Sequence, residues 1–143
     1  MSNDLKQLAE TLHEKGCSCV IENEEGLLTI GHERGVRDLM NFLKNSPEVL
    51  RGALMADKVV GKGAAALMIL GGVKGIYADV ISVKAYELLD KSGVDVQYGV
   101  IVENIINREG TGNCPVETLC SDCATAEECL PLIEAFLSRR TVF

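Results

Sequence analysis

The stretch Ala56-Asp57-Lys58-Val59-Val60-Gly61-Lys62-Gly63-Ala64-Ala65-Ala66 decides the fold. Up to Val60 it continues an apolar run that starts at Leu54 and is broken only by Asp57 and Lys58. From Ala64 to Leu70 it carries alanine and unbranched side chains, which favour a helix. Gly61 and Gly63 therefore mark the crossing from a buried strand into a helix. The first amides of such a helix lack intrahelical partners and lie at the positive end of its dipole, so they suit an anion, and Lys62 adds to that pull. The glycines let a ligand approach the backbone closely, Gly61 with a positive φ if the turn is tight. The plainer reading of the same residues is a pair of solvated strand-end charges and glycines that only permit a turn. The Gly-x4-Gly-Lys-Ser/Thr pattern of a Walker loop is absent.

Working outward, Leu5, Leu8, Ala9 and Leu12 recur at helical spacing behind Ser2, and Gly16 stops that helix. Cys17 to Glu22 and Leu27 to Ile30 read as strands joined by the turn Asn23-Glu24-Glu25-Gly26. Cys17 and Cys19, two apart in one strand, are expected on one face as core residues. Val36, Leu39, Met40 and Leu43 give a second helix, ended by Ser46-Pro47. Beyond the central turn, Gly71-Gly72 closes the third helix and Ile76 to Ile81 forms an interior strand. Ser82 caps a helix that Gly93 stops, and Val94 to Val102 is a fifth strand. The order predicts an α/β fold with a mixed five-stranded sheet, an N-terminal hairpin plus parallel strands joined by right-handed crossovers.

At 143 residues with 47% apolar content the chain can fill one core. We expect an α/β domain over 1–113, with a Cys-rich segment and C-terminal helix over 114–143 packed on it. A net charge of -7 and a pI near 4.8 argue against a nucleic-acid or anionic-membrane surface, which would need clustered Lys and Arg. A small anionic ligand is still expected at a locally positive site, and homo-oligomerisation is open. Gly63 to Val73 is too short to cross a bilayer, and the Met1-Ser2-Asn3-Asp4 start lacks signal-peptide character, so a cytoplasmic location is expected.

In open α/β sheets ligands sit beyond the carboxyl ends of the strands. That edge would gather Gly31 to Gly35, the Asp57 to Gly63 turn and Ser82, with Asn107-Arg108 and Cys114-Pro115 folding over it. Arg34, Gly35, Gly61, Lys62, Ser82, Asn107 and Arg108 are the expected ligand contacts, Arg108 as a bidentate phosphate partner. Asp57, Lys58, Lys62 and Cys114 are the candidate acids, bases or nucleophile. Cys114 would need a positive neighbour to lower its pKa.

The residues Arg34-Gly35-Val36, Ala56 to Lys62 with the alanine run, Tyr77-Ala78, Ile81-Ser82, Asn107-Arg108 and Cys114-Pro115 resemble a small prokaryotic family of unassigned activity with a cytidine-deaminase-like fold. The resemblance implies a three-layer α/β/α sandwich with its pocket between two helix starts. Zinc deaminases carry a His or Cys two residues before a Glu at the first start and Pro-Cys-x-x-Cys at the second. Here those positions fall near Arg34-Gly35-Val36 and Gly61 to Ala65, which hold no ligand. No deaminase zinc is therefore expected.

Cys114, Cys120, Cys123 and Cys129 form Cys-x5-Cys-x2-Cys-x5-Cys. The Cys120-Ser121-Asp122-Cys123 pair has the chelating spacing of zinc and iron–sulfur sites, although the outer spacings are unusual for a zinc finger. A metal site, a reversible disulfide and unlinked thiols are the three readings. Thr125 with Glu128 makes a capping box for a last helix, in which Pro131 requires either a kink or a later start near Cys129. Three functions follow: a binding protein for a nucleotide or other phosphate-bearing small molecule, a non-metal enzyme using Asp57, Lys62 and Cys114, and a thiol- or metal-based redox sensor.

Overall fold

The computed structural model describes residues 2–31, 36–105 and 115–141. Strand β3 (Leu54–Val60) passes through Gly61 into helix α3 (Lys62–Gly71), as the glycine crossing predicts. Around this unit lie α1 (Ser2–Lys15), β1 (Cys19–Glu22), β2 (Leu28–Gly31), α2 (Arg37–Asn45), β4 (Gly75–Ser82), α4 (Val83–Lys91), β5 (Asp95–Val102), α5 (Pro115–Cys120) and α6 (Ala126–Thr141). The sheet runs β2-β1-β3-β4-β5. Its hairpin pairs antiparallel with β3, whereas β3, β4 and β5 are parallel.

Local chemistry sets these boundaries. Gly16, Gly26, Gly72 and Gly93 all hold a positive φ at the expected stops and turn. The hairpin turn is tied by the Asn23 carboxamide oxygen, which accepts from the amides of Glu25 and Leu27. Period-two alternation then divides the sheet between two cores. Val20, Leu54 and Ala56 face Leu5, Leu8 and Leu12 of α1, and Ile21 and Met55 face the opposite core with α3 and α4.

Cys17 and Cys19 correct the sequence expectation of a shared face. Cys17 packs in the α1 core and Cys19 in the other. The strand starts only at Cys19, so strand alternation does not apply at Cys17.

Helix α3 is buried along Lys62 to Met68. It packs against α4, α6, α2 and α5 as well as β3, which explains why it is apolar on every face rather than amphipathic. Helix α6 begins at Ala126 and continues through Pro131, so the later start is not adopted. The Glu128 amide donates to Thr125 Oγ1, but the Glu128 carboxylate reaches the Ala124 amide, one residue before a standard capping box. Among the described residues, no helix is long and apolar enough to cross a membrane.

Candidate functional site

Strands β3 and β4 deliver two helix starts to the carboxyl edge of the sheet. Ser82 caps α4 by accepting from the Ala85 amide at 3.1 Å. Gly61, the residue before α3, has no side chain to do the same, and its φ of −97° is ordinary extended backbone, not the positive angle expected of a tight turn. The missing cap comes from 55 residues away: the Lys62 amide donates to Glu117 Oε2 at 2.8 Å. Ser82 Oγ donates to the same oxygen, and the Ile105 amide donates to Oε1 at 2.7 Å.

Glu117 is 3% exposed. A carboxylate so deeply placed is stable only when charge-assisted bonds replace its water. Here the start of α3, the end of β4 and the segment after β5 supply one donor each, and the dipole of α3 adds its positive end. The edge that was expected to hold a ligand anion holds an anion of the chain itself.

Lys62 is held within the chain in the same way. Its side chain is 7% exposed, and its Nζ donates to the carbonyls of Ser121 at 3.1 Å and Cys123 at 2.5 Å. The ammonium thus clamps the loop that follows α5. The glycines serve that helix too. A Cβ on Gly61 would lie 3.1 Å from Glu117 Oε2, and one on Gly63 would overlap Val116 Cγ1. They admit α5 to the backbone, where the sequence suggested a ligand.

Asp57 lies within β3. Burial pushes its carboxyl up from 3.8 to about 7, against two backbone hydrogen bonds from Val59 and Lys58; Asp38 and Asp79 raise it further. The side-chain charges that act on it, Asp38 and Asp79, are acidic. Lys58 is half-buried, and its amide donates to the Ser18 carbonyl. Burial, then Asp57 and Asp38, also push the Cys19 thiol far up. Arg34, Gly35, Asn107, Arg108 and Cys114 lie outside the described residues.

Three of the four clustered cysteines converge. Cys120 and Cys129 are fully buried and Cys123 partly so. Desolvation pushes the Cys129 thiol well up, and the adjoining Cys120 and Cys123 push it further. Its Sγ also donates to the Thr125 carbonyl at 3.6 Å. Among the described residues no group of three His, Cys, Asp or Glu has an arrangement that holds a metal ion.

Sequence reasoning missed Glu117 and the Ile105 amide. The available signal was slight: Pro115 suits the first turn of a helix, and an acid two residues later suits its N-terminus. Nothing in the local pattern says that this acid reaches another helix. A separate surface groove of about 220 Å³ lies between α2 and α6, lined by Met40, Lys44, Glu134, Leu137 and Ser138. An ion pair joins Lys44 and Glu134 there, and the groove does not include the α3 turn.

A hairpin-first mixed sheet, with a carboxylate inserted at the ends of its parallel strands, defines an α/β sandwich protein whose candidate site is internally occupied. The chain belongs to the family described as TM1506, domain of unknown function (DUF1893), whose model matches residues 7–137. A crystal structure of a DUF1893 family protein (TM1506) from Thermotoga maritima at 2.70 Å resolution is similar at a TM-score of 0.83. The two share 24% sequence identity over 94% of this chain and 90% of that one, and the likeness bears on fold alone. No curated protein matches the sequence.

Proposed function

We propose that this protein binds a small anionic molecule, a nucleotide or another phosphate-bearing compound, in the cradle now filled by Glu117. The supporting observation is that donors from three separate elements converge on one carboxylate at the carboxyl edge of the sheet. That is the chemistry of an oxyanion site, and a phosphate can take the same donors. Lys62 fits this reading indirectly. Its carbonyl partners and Glu117 all lie between residues 117 and 123, so withdrawal of this one segment exposes two amides, a hydroxyl and an ammonium together.

The hairpin-first order supports the deaminase-like resemblance, and the absence of zinc ligands from Gly61 to Ala65 separates this reading from deaminase chemistry. The test is titration of inorganic phosphate and a nucleotide panel into wild type and Glu117→Ala, followed through the Lys62 and Ile105 amide resonances. The variant should bind at least ~10-fold tighter, equivalent to ~1.4 kcal/mol, because no internal carboxylate competes. If both proteins leave those resonances unmoved by every compound, the site assignment is wrong.

A further inference from the structure

The two edges of the sheet are built differently. Strand β2 at one end has four residues, and an edge that short gives another chain little to pair with. Strand β5 at the other end has eight, Asp95–Val102, and among the described residues no strand pairs with its outer side. Between Asp95 and Glu103 it carries neither charge nor proline, the features that blunt an open edge. Tyr98, Val100 and Ile101 on this strand are three of the eight large apolar side chains exposed among the described residues. Val59, also exposed, extends the patch inward through the register Val59–Val80–Val100. Helix α1 packs on β1, β3 and β4, whereas β5 is packed by α4.

The order of residues shows what fits this edge. Val96-Gln97-Tyr98-Gly99-Val100 has a valine two places to either side of Tyr98, so its apolar pattern reads the same in both directions. Such a strand is complementary to itself run antiparallel, and a twofold contact requires a self-complementary patch. We propose that β5 pairs antiparallel with β5 of a second copy of this chain, about a twofold axis at Tyr98, joining the two sheets into one. Tyr98 of one copy then faces Tyr98 of the other, and Val96 faces Val100 to either side. Aromatic and β-branched residues set opposite one another in this way stabilise antiparallel strands. Tyr86 of α4 already packs edge-to-face on Tyr98, with 5.9 Å between ring centroids, so the aromatic contact continues outward from the axis in both copies.

Charge fixes the register. About Tyr98, Asp95 faces Ile101. An axis moved by one residue, to Gly99, sets Asp95 against Glu103 at both ends, and like charges directly opposite are destabilising. The paired stretch, residues 95–101, is ~23 Å long, and a strand with its helix layer is ~20 Å thick. The resulting face of ~450 Å² per copy falls among weak and transient associations. A reversible dimer with a dissociation constant of ~10–100 µM is therefore expected.

The experiment is sedimentation velocity of the full-length chain at concentrations bracketing that constant. Wild type should pass from monomer to dimer as concentration rises. Tyr98→Lys, which sets two ammonium groups face to face at the axis, should weaken association at least ~10-fold. Val100→Lys, at a more exposed position, should weaken it as well, and serves where circular dichroism shows that Tyr98→Lys has lost its fold. Leu28→Lys, on the opposite edge, should leave association unchanged. Oxidation of the dimer by light-activated ruthenium and persulfate should give a Tyr98–Tyr98 dityrosine bridge, located by mass spectrometry; Tyr98→Phe should dimerise without it. A wild type that stays monomeric at every concentration overturns the proposal and leaves the edge to an extended segment of another protein. A dimer that neither lysine on β5 weakens, that Leu28→Lys abolishes, or whose cross-links exclude Tyr98 overturns it too, because the copies then meet through another face.

Discussion

Replacing Glu117 by glutamine keeps the side-chain shape and removes what the cradle requires. The carboxylate offers acceptors to three donors: Lys62 N and Ser82 Oγ at one oxygen, Ile105 N at the other. A carboxamide offers one oxygen. If that oxygen faces Lys62 and Ser82, its NH2 confronts the Ile105 amide, donor against donor; turned round, the NH2 confronts Lys62. One buried amide is then orphaned at ~1–3 kcal/mol, and the surviving bonds fall from charge-assisted to neutral, about 1 kcal/mol more. The sum is ~2–4 kcal/mol. For a chain of this length each kcal/mol lowers Tm by roughly 3 °C, so a drop of about 6–12 °C is expected. Urea unfolding followed by circular dichroism should show a lower midpoint at an unchanged m-value. A loss below ~0.5 kcal/mol would refute the reasoning, because an ordinary surface substitution costs that much.

Lys62→Met should cost ~1–3 kcal/mol by orphaning the Ser121 and Cys123 carbonyls, and hydrogen exchange should show the Cys123 amide less protected. Gly63→Ala places a methyl against Val116 and should destabilise by ~1–3 kcal/mol, read by urea midpoint, while raising affinity for phosphate if α5 is displaced. For Asp57 the folded pKa, about 7, lies above its ordinary 3.8. Its protonated form therefore adds stability fully present below pH ~4, which is lost as pH rises through 7, at ~1.4 kcal/mol for each pH unit between those two values. Asp57→Asn should flatten that slope in unfolding measured from pH 4 to 8. Incubation with zinc and cytidine, adenosine or guanine should release no ammonia, as Gly61 to Ala65 supplies no metal ligand; chelator-sensitive release would overturn this.

The fold was legible because its signals were local. Glycines at 16, 26, 72 and 93 punctuated the elements, and the apolar periods changed from 3.6 to 2 and back between them. The Leu54–Val60 strand matches the sequence reading residue for residue. The site was half legible. The start of α3, Lys62 and Ser82 were all expected at one edge, and all lie there. What the sequence could not show was their occupant, because Glu117 reaches Lys62 across 55 positions from a helix too short to carry a periodic signature. The partners of Lys62 were hidden for the same reason: they are backbone carbonyls, which every residue has and no side-chain pattern marks. Cys17 went astray on a strand boundary two residues out.

The burial of α3 has a consequence for synthesis on the ribosome. Its outer face is covered by α6 and α5, which are translated more than 40 residues after α3 ends. Until they emerge, the part of α3 around Gly63 that meets Val116 and Ile133 presents an apolar surface to solvent or to a chaperone. At elongation rates of ~5–20 residues per second, that interval lasts several seconds. Nascent chains arrested before residue 126 should therefore be held by chaperones or degraded, even though they already contain every strand of the sheet.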